Sequence, residues 1–279
     1  MKKALLMGIN RYRIPRSDLK GCVNDIKTML SILTEKFGFD IKNITTLTDF
    51  QCTTKDMKFN IEKICYDVKP EDVIYIQYSG HGSSIVDIDK DEADGVDEII
   101  IPTDIDWKKN IITDDYLYSV FSKVNPQTEL VFHSDSCHSG SLLRVAPGHY
   151  LSPRYLNPPI EILEKIAKIK SQIYDNDAQM AQLASNQKKE DFNKRNGILL
   201  SGCSSTETSA DSIMDNKYQG AFTFALANIL KNNNYDITYF DLINKTNILL
   251  QKLGYSQHPQ LEAKDELLNM KFLRGPVKK

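Results

Sequence analysis

The chain of 279 residues contains no C-x-x-C pair, and its five cysteines (22, 52, 65, 137 and 203) are odd in number. That pattern argues against a disulfide framework or a zinc site and fits a reducing compartment, the cytoplasm. No apolar run is long enough to cross a bilayer. The opening MKKALLMGINRYR imitates a secretion signal, but its apolar stretch is short and Arg11 and Arg13 follow at once. A buried first strand is the better reading. Neither sign of charge dominates: 35 Lys+Arg against 37 Asp+Glu leave a net −2, which points away from nucleic acid and anionic membranes as partners. There is no internal repeat and no low-complexity segment. The turn after the first apolar run, Asn10-Arg11-Tyr12, has neither G-x-G-x-x-G nor G-K-[ST], which sets aside a doubly wound nucleotide or phosphate enzyme.

What is present is a repeating β and α pattern. Residues 3–10 predict a strand apolar on both faces, as in the middle of a parallel sheet. Leu19, Cys22, Val23, Ile26, Met29, Leu30, Leu33 and Phe37 recur at helical spacing, with Ser17 or Asp18 as the expected cap and Gly38 as the stop. A strand at 44–47, a helix at 53–66 capped by Thr54 and a strand at 72–78 follow. This order predicts an α/β fold with a parallel sheet and helices on its faces. Its chemistry is expected at the carboxyl ends of the strands. Residues 85–106 form an acidic excursion, read as a hairpin or loop with its turn at Asp94-Gly95. Thr113-Asp114-Asp115 opens a helix to about 123, with acids where the helix dipole favours them. Four prolines (147, 153, 158, 159) break up the start of 144–196, which continues as one or two lysine-rich amphipathic helices. A strand at 197–201 and helices at 222–230 and 240–253 follow. Residues 257–261 read as a turn and 269–273 as a last strand.

Two stretches carry chemistry. ELVFHSDSCHSG runs from an apolar β segment into a polar turn bearing Cys137, among residues that mark an open strand end. A thiol there is expected to be solvent-reachable, and it reacts if a base takes its proton. DVIYIQYSGHG is a second β run, ending at His81 between two glycines. Neighbouring parallel strands would bring His81 beside Cys137. Imidazole can hold the thiol proton and return it to a leaving amine. His138 is nearer in sequence but is read as a loop residue, because neighbours at a strand end point apart. Alternation puts Asp135 on the same side as Cys137, where a carboxylate favours a cationic substrate group. Taken singly, these are a strand-end cysteine, a turn histidine and a capping acid.

Together, Tyr78-Ser79-Gly80-His81-Gly82 and Asp135-Ser136-Cys137-His138-Ser139-Gly140 resemble the two signature blocks of metacaspases, caspase-like cysteine peptidases that cut after Arg or Lys. The histidine lies about 50 residues before the cysteine, as in caspases. The resemblance covers roughly residues 2–273 and is poorest in 144–196. It implies a compact form without an N-terminal pro-region. The fold it implies is one caspase-like three-layer sandwich, with a mostly parallel sheet of about six core strands, the last antiparallel. Residues 1–143 would form the large catalytic segment, 144–196 the linker and 197–279 the small segment.

The resemblance also implies roles. Gly82 and Cys137 would donate backbone N–H groups to an oxyanion. Cys22, Asp25 and Ser79 would join Asp135 in the pocket for the cleaved-side residue, and Cys22 and Asp25 share a helix face. Caspases that cut after Asp have Gln at the position of Asp135. Asp211 is either groove lining or part of a turn. Members of the family often bind an activating calcium, for which Asp97, Asp114 and Asp115 match. A further family aspartate is Arg144 here, which removes one ligand. An EF-hand is discarded. Asp87, Asp89, Asp91 and Glu98 fall at its positions 1, 3, 5 and 12, but Glu92 stands where glycine is needed and a β-like run follows. No organic cofactor is expected, and a monomer is. Lys165, Lys168, Lys170, Lys188, Lys189 and Arg195 suit self-cleavage in the linker, which is otherwise a cover over the site. The competing reading is an inactive caspase-like scaffold acting as an adaptor or regulator.

Overall fold

The structure is a computed structural model that describes residues 1–66, 68–87, 95–137, 151–174, 197–204 and 207–275. A six-stranded sheet forms its centre. In chain order its strands are β1 (Lys2–Gly8), β2 (Ile44–Thr48), β3 (Val73–Ser79), β7 (Glu129–Asp135), β9 (Ile198–Ser201) and β12 (Gln260–Glu262), with spatial order β12-β9-β7-β3-β1-β2. All neighbours run parallel except β12, which lies antiparallel on β9. The strands β3 and β7 are buried along their whole length, which is why each carries consecutive apolar residues, Val73–Ile76 and Leu130–Phe132, instead of alternating ones.

The pleat of β1 divides the core. Ala4 and Leu6 pack into one layer with Ile26, Met29 and Leu33 of helix α1 (Cys22–Lys36) and with helices α5 (Ala221–Asn232) and α6 (Tyr239–Lys252). Leu5 and Met7 pack into the other, with Met57 and Ile61 of α2 (Thr54–Tyr66) and Leu117 and Val120 of α3 (Asp114–Phe121). The expected three layers are therefore present. On the α2 and α3 side, β4 (Gly82–Val86) and β5 (Val96–Ile100) form an antiparallel hairpin, extended by β6 (Ile112–Thr113). The acidic excursion is thus a hairpin. Gly95 sits at φ 68°, whereas Asp89, Asp91, Glu92 and Asp94 lie outside the described residues. A second small sheet has the order β11-β10-β8, from β8 (Leu151–Pro153), β10 (Ala210–Met214) and β11 (Lys217–Gly220). Helix α4 (Ile160–Tyr174) follows β8. No described helix is long and apolar enough to cross a membrane.

Four local expectations need correction. The cap of α1 is Gly21, without a side-chain bond. Asp18 instead accepts from Tyr12 N–H, and Ser17 offers its carbonyl to His81. Thr53, not Thr54, serves α2, its hydroxyl accepting from Asp56 N–H, while Thr54 N–H is satisfied by Asp104. The sixth strand is Gln260–Glu262, within and just beyond the stretch expected to be a turn. Residues 269–273 are not a strand of that sheet: Phe272 and Leu273 are fully buried, and the Phe272 ring packs edge-on against Phe37, Tyr75 and Tyr239. Burial of an aromatic side chain outweighs any strand preference of that short segment.

Candidate active site

Parallel pairing sets the geometry. The register of β3 on β7 runs to Ser79 opposite Asp135, so His81 and Cys137 each lie two residues past the same rung. Gly82 presses on the Cys137 backbone so closely that any Cβ there would overlap the Cys137 carbonyl, which restricts this position to glycine.

The His81 ring is oriented by the loop after β1. Nε2 lies 2.8 Å from the Ser17 carbonyl, which can only accept, so Nε2 carries the hydrogen. Nδ1 then holds the lone pair, and it is buried without a hydrogen-bond partner. Tyr12 Oη accepts from His81 N–H at 2.8 Å and its ring packs on the imidazole. Tyr78 Oη donates to the His81 carbonyl at 2.6 Å. Burial pushes the imidazole pKa down to about 4, against the opposing pull of the Ser17 carbonyl. The ring is therefore neutral at pH 7 and able to accept a proton at Nδ1.

Cys137 departs from expectation. Its thiol is fully buried, not solvent-reachable. Sγ donates to the Ser209 carbonyl at 3.3 Å and accepts from Ser209 N–H. Burial, then the neighbouring Cys203, push its pKa up. The pair is thus a neutral thiol and a neutral imidazole, with no hydrogen bond between them in this state.

The cover over Cys137 is Arg154, which sequence reasoning did not single out. Its side chain is wholly buried. Nη2 bonds Asp25 at 2.7 Å and Asp211 at 3.0 Å. Nη1 bonds the Asp135 carbonyl at 3.0 Å and lies 3.1 Å from Asp135 Oδ1. Three expected acids thus converge on one guanidinium. Burial alone would raise the Asp135 carboxyl, but Arg154, Thr223, His133 and Ser209 outweigh it and hold its pKa below the ordinary range. Burial lifts Asp25 to about 7 despite Arg154. The slot wall is also glycine: a Cβ on Gly220 would strike Asp135 Oδ2. Asp211 lines the slot from β10 rather than from a turn, fixed by Lys20 and Gly21 N–H groups. Cys22 is buried close to the same charges, and Ser79 Oγ accepts from Gln77 Nε2 at 3.3 Å. Neither forms a hydrogen bond to Arg154.

The backbone of Arg154 is held as closely as its side chain. Its carbonyl accepts from Gly82 N–H at 2.9 Å and from Cys137 N–H at 3.3 Å, the two donors expected for an oxyanion. Arg154 N–H donates to the Ser209 carbonyl at 3.0 Å, and Leu156 N–H to the Gly82 carbonyl at 3.0 Å.

The acids expected to hold calcium lie elsewhere, on β5 and α3. Asp97 is buried. Asp114 Oδ1 is buried without a hydrogen bond. Burial, then the charges of Glu98 and Asp115, lift Asp114 to about 8. Among the described residues no three His, Cys, Asp or Glu side chains are spaced to hold a metal. Arg144, His138, Lys188, Lys189 and Arg195 lie outside the described residues. Lys165, Lys168 and Lys170 are exposed on α4.

Known proteins bear on this geometry. Residues 2–146 match the model of the metacaspase, peptidase C14 domain. Metacaspase-1A of Aspergillus oryzae is 32% identical over 95% of this chain and 68% of its own. Metacaspase-1 of Kluyveromyces lactis is 28% identical over 98% and 68%. Among solved structures, a Geobacter sulfurreducens protein superposes with TM-score 0.68 at 24% identity, covering 99% of both chains. Caspase-1 of Spodoptera frugiperda superposes with TM-score 0.55 at 11% identity, over 94% of this chain and 86% of that one. With a caspase-like sheet, and a family match spanning both the His81 and the Cys137 blocks, this chain belongs to the metacaspases, a family of caspase-like cysteine peptidases.

Proposed function

We propose that this chain is an endopeptidase that cuts proteins after Arg or Lys, with Cys137 as nucleophile and His81 as its base. Nδ1 of His81 takes the thiol proton as Sγ attacks the scissile carbonyl, and gives it to the departing amine. Gly82 and Cys137 N–H groups stabilise the oxygen on which charge develops. Asp25, Asp135 and Asp211 receive the cationic side chain, with Cys22 and Ser79 packed near them. The observation that carries this reading is that a guanidinium already fills the slot while its own carbonyl meets both donors. An acidic side chain there would meet three carboxylates.

Hydrolysis of otherwise identical fluorogenic peptides ending in Arg, Lys or Asp tests this, with Cys137→Ala as control. We expect kcat/KM for Arg to exceed that for Asp by about a hundredfold or more, since facing like charges costs several kcal/mol. Equal rates for Arg and Asp would refute the specificity. No turnover of any peptide, with or without calcium, would favour the scaffold reading.

Calcium activation belongs to the same proposal. The side chains whose charge acts on Asp114, namely Glu98, Asp115 and Asp97, offer only oxygens, which suits a hard cation. Bound calcium would supply the positive charge that lets Asp114 ionise. In the Cys137→Ala chain we expect added calcium to raise the unfolding temperature by about 2–4 °C, corresponding to ~1 kcal/mol. Asp114→Asn should abolish that rise. An unchanged melting curve would remove calcium from the account.

A further inference from the structure

We infer that His133 is a specificity-positioning residue: through the Thr223 hydroxyl it fixes the direction of the hydrogen bonds that hold the Asp135 carboxylate for a cationic substrate side chain. This role rests on the proposed preference for Arg and Lys and deepens it. It accounts for a buried imidazole that the Cys137 and His81 pair does not use.

Alternation along β7 puts His133 on the same face as Asp135, two residues before it. Both side chains are buried, as are Tyr75 on β3 and Thr223 in the first turn of α5. Gln77, the register partner of His133, donates to Ser79 Oγ instead. The Phe222 ring packs against the imidazole with centroids 4.8 Å apart. A position between aromatic rings in the middle of a sheet suits an apolar side chain. An imidazole there costs free energy unless its nitrogens find partners. Both do: Nδ1 lies 2.6 Å from Tyr75 Oη, and Nε2 lies 3.4 Å from Thr223 Oγ1.

The direction of each proton follows. The pKa of Asp135 is held below the ordinary carboxylate range, so at pH 7 it can only accept. Its Oδ2 lies 2.7 Å from Thr223 Oγ1 and 2.9 Å from Thr223 N–H. The Thr223 hydroxyl therefore donates its one proton to Asp135, and towards His133 it can only accept. Nε2 must then carry the hydrogen. Burial lowers the imidazole pKa to about 4, against the pull of Asp135, so the ring is neutral at pH 7 and Nδ1 is bare. Tyr75 Oη is the donor to it. The bonds run one way, from Tyr75 to His133 to Thr223 to Asp135.

That direction matters to binding. A hydroxyl with no donor aimed at its oxygen is free to turn its proton elsewhere. With Nε2–H aimed at that oxygen, the Thr223 proton stays on Asp135. Arg154 also neutralises this carboxylate here. A substrate cation can replace it only if Asp135 stays ionised and in place while the slot is empty. Thr223 and the Ser209 hydroxyl, 2.7 Å from Oδ1, are then the donors that keep it so. The other two acids of the slot are held differently. Asp25 accepts from Gly220 N–H, and Asp211 from the N–H groups of Lys20 and Gly21. The relay thus serves Asp135.

Peptides ending in Arg or in citrulline, its neutral isostere, test this on the full chain with calcium present. We expect His133→Leu to lower the ratio of kcat/KM for Arg over citrulline by about three- to tenfold, the worth of one buried hydrogen bond. The loss should fall mostly on KM for the Arg peptide. His133→Gln, whose amide can donate to Thr223, should recover most of the ratio. Thr223→Val should lower it as well, and adding His133→Leu to Thr223→Val should lower it no further, because one acts through the other. A merely structural His133 would change the unfolding temperature and leave the ratio where it was. That result, or full additivity in the double variant, overturns the role of His133 and leaves the peptidase. If His133→Leu does not fold, nitrogen-15 NMR of Cys137→Ala at pH 7 decides: the imidazole must be neutral with its hydrogen on Nε2, and a hydrogen on Nδ1 overturns the role. A wild-type chain that cuts both peptides equally refutes the preference for cations, and the role of His133 with it.

Discussion

Replacing His81 with alanine is expected to lower kcat/KM for an Arg peptide by about 10²–10⁴-fold, the usual contribution of one positioned proton-transfer group. The effect should be large because Cys137 is not poised as a thiolate. Burial raises its pKa, so proton removal must happen during attack rather than before it. Peptide kinetics on His81→Ala check this, and a loss of less than about tenfold would mean another base acts. The same substitution has a signature in stability. Burial lowers the His81 pKa from 6.5 to about 4 in the folded chain. As pH falls from about 6.5 towards 4, the unfolded chain binds a proton there that the folded chain does not, and wild type loses stability. His81→Ala lacks that loss. The stability difference between the two should therefore shift in favour of the variant over that window, as read by denaturant unfolding in a Cys137→Ala background.

Asp135→Asn is expected to destabilise the uncut chain by about 3–5 kcal/mol, as when one partner of a buried charge pair is removed. The Asp135 carboxylate meets Arg154, the Ser209 hydroxyl, and both the hydroxyl and the N–H of Thr223, all without solvent. An amide in its place loses the charge and turns a donor toward one of these groups. Urea unfolding of Cys137→Ala with and without the change measures this free of any cleavage. In the active enzyme the substitution should cut kcat/KM for Arg peptides by about 10²–10³-fold, with far less effect on peptides with a neutral residue in that place. Full retention of Arg hydrolysis would mean that Asp25 and Asp211 suffice to hold the cation, and that Asp135 is a structural acid.

The His81 and Cys137 blocks were legible because each is local. A β run ending in a glycine-flanked histidine, and another ending in Asp-Ser-Cys, state in a few residues both the strand and the chemistry at its tip. Asp135 followed from strand alternation, and Asp25 and Asp211 through the family pattern. Arg154 did not, although Pro153 before it and the broken helical pattern around it mark an extended stretch. Nothing near it in sequence is acidic. Its partners stand 129, 19 and 57 residues away along the chain. The hairpin of β10 and β11 also passed unseen, although Asp215-Asn216 at its turn, with φ of 51° and 60°, is a sequence signal for a tight β-turn.

The first five strands of the central sheet with the helices between them, the two apolar faces of β1 and the placing of His81 and Cys137 at strand ends came from amino-acid order alone. Periodicity and turn chemistry act over a few residues and need no knowledge of the rest. The protection of Cys137, the filling of the acid slot by the chain's own arginine and the identity of the sixth strand came only with tertiary structure. Each depends on which distant segments compete for one buried surface. A lone guanidinium gains little in water, yet it becomes indispensable once three carboxylates are buried around it.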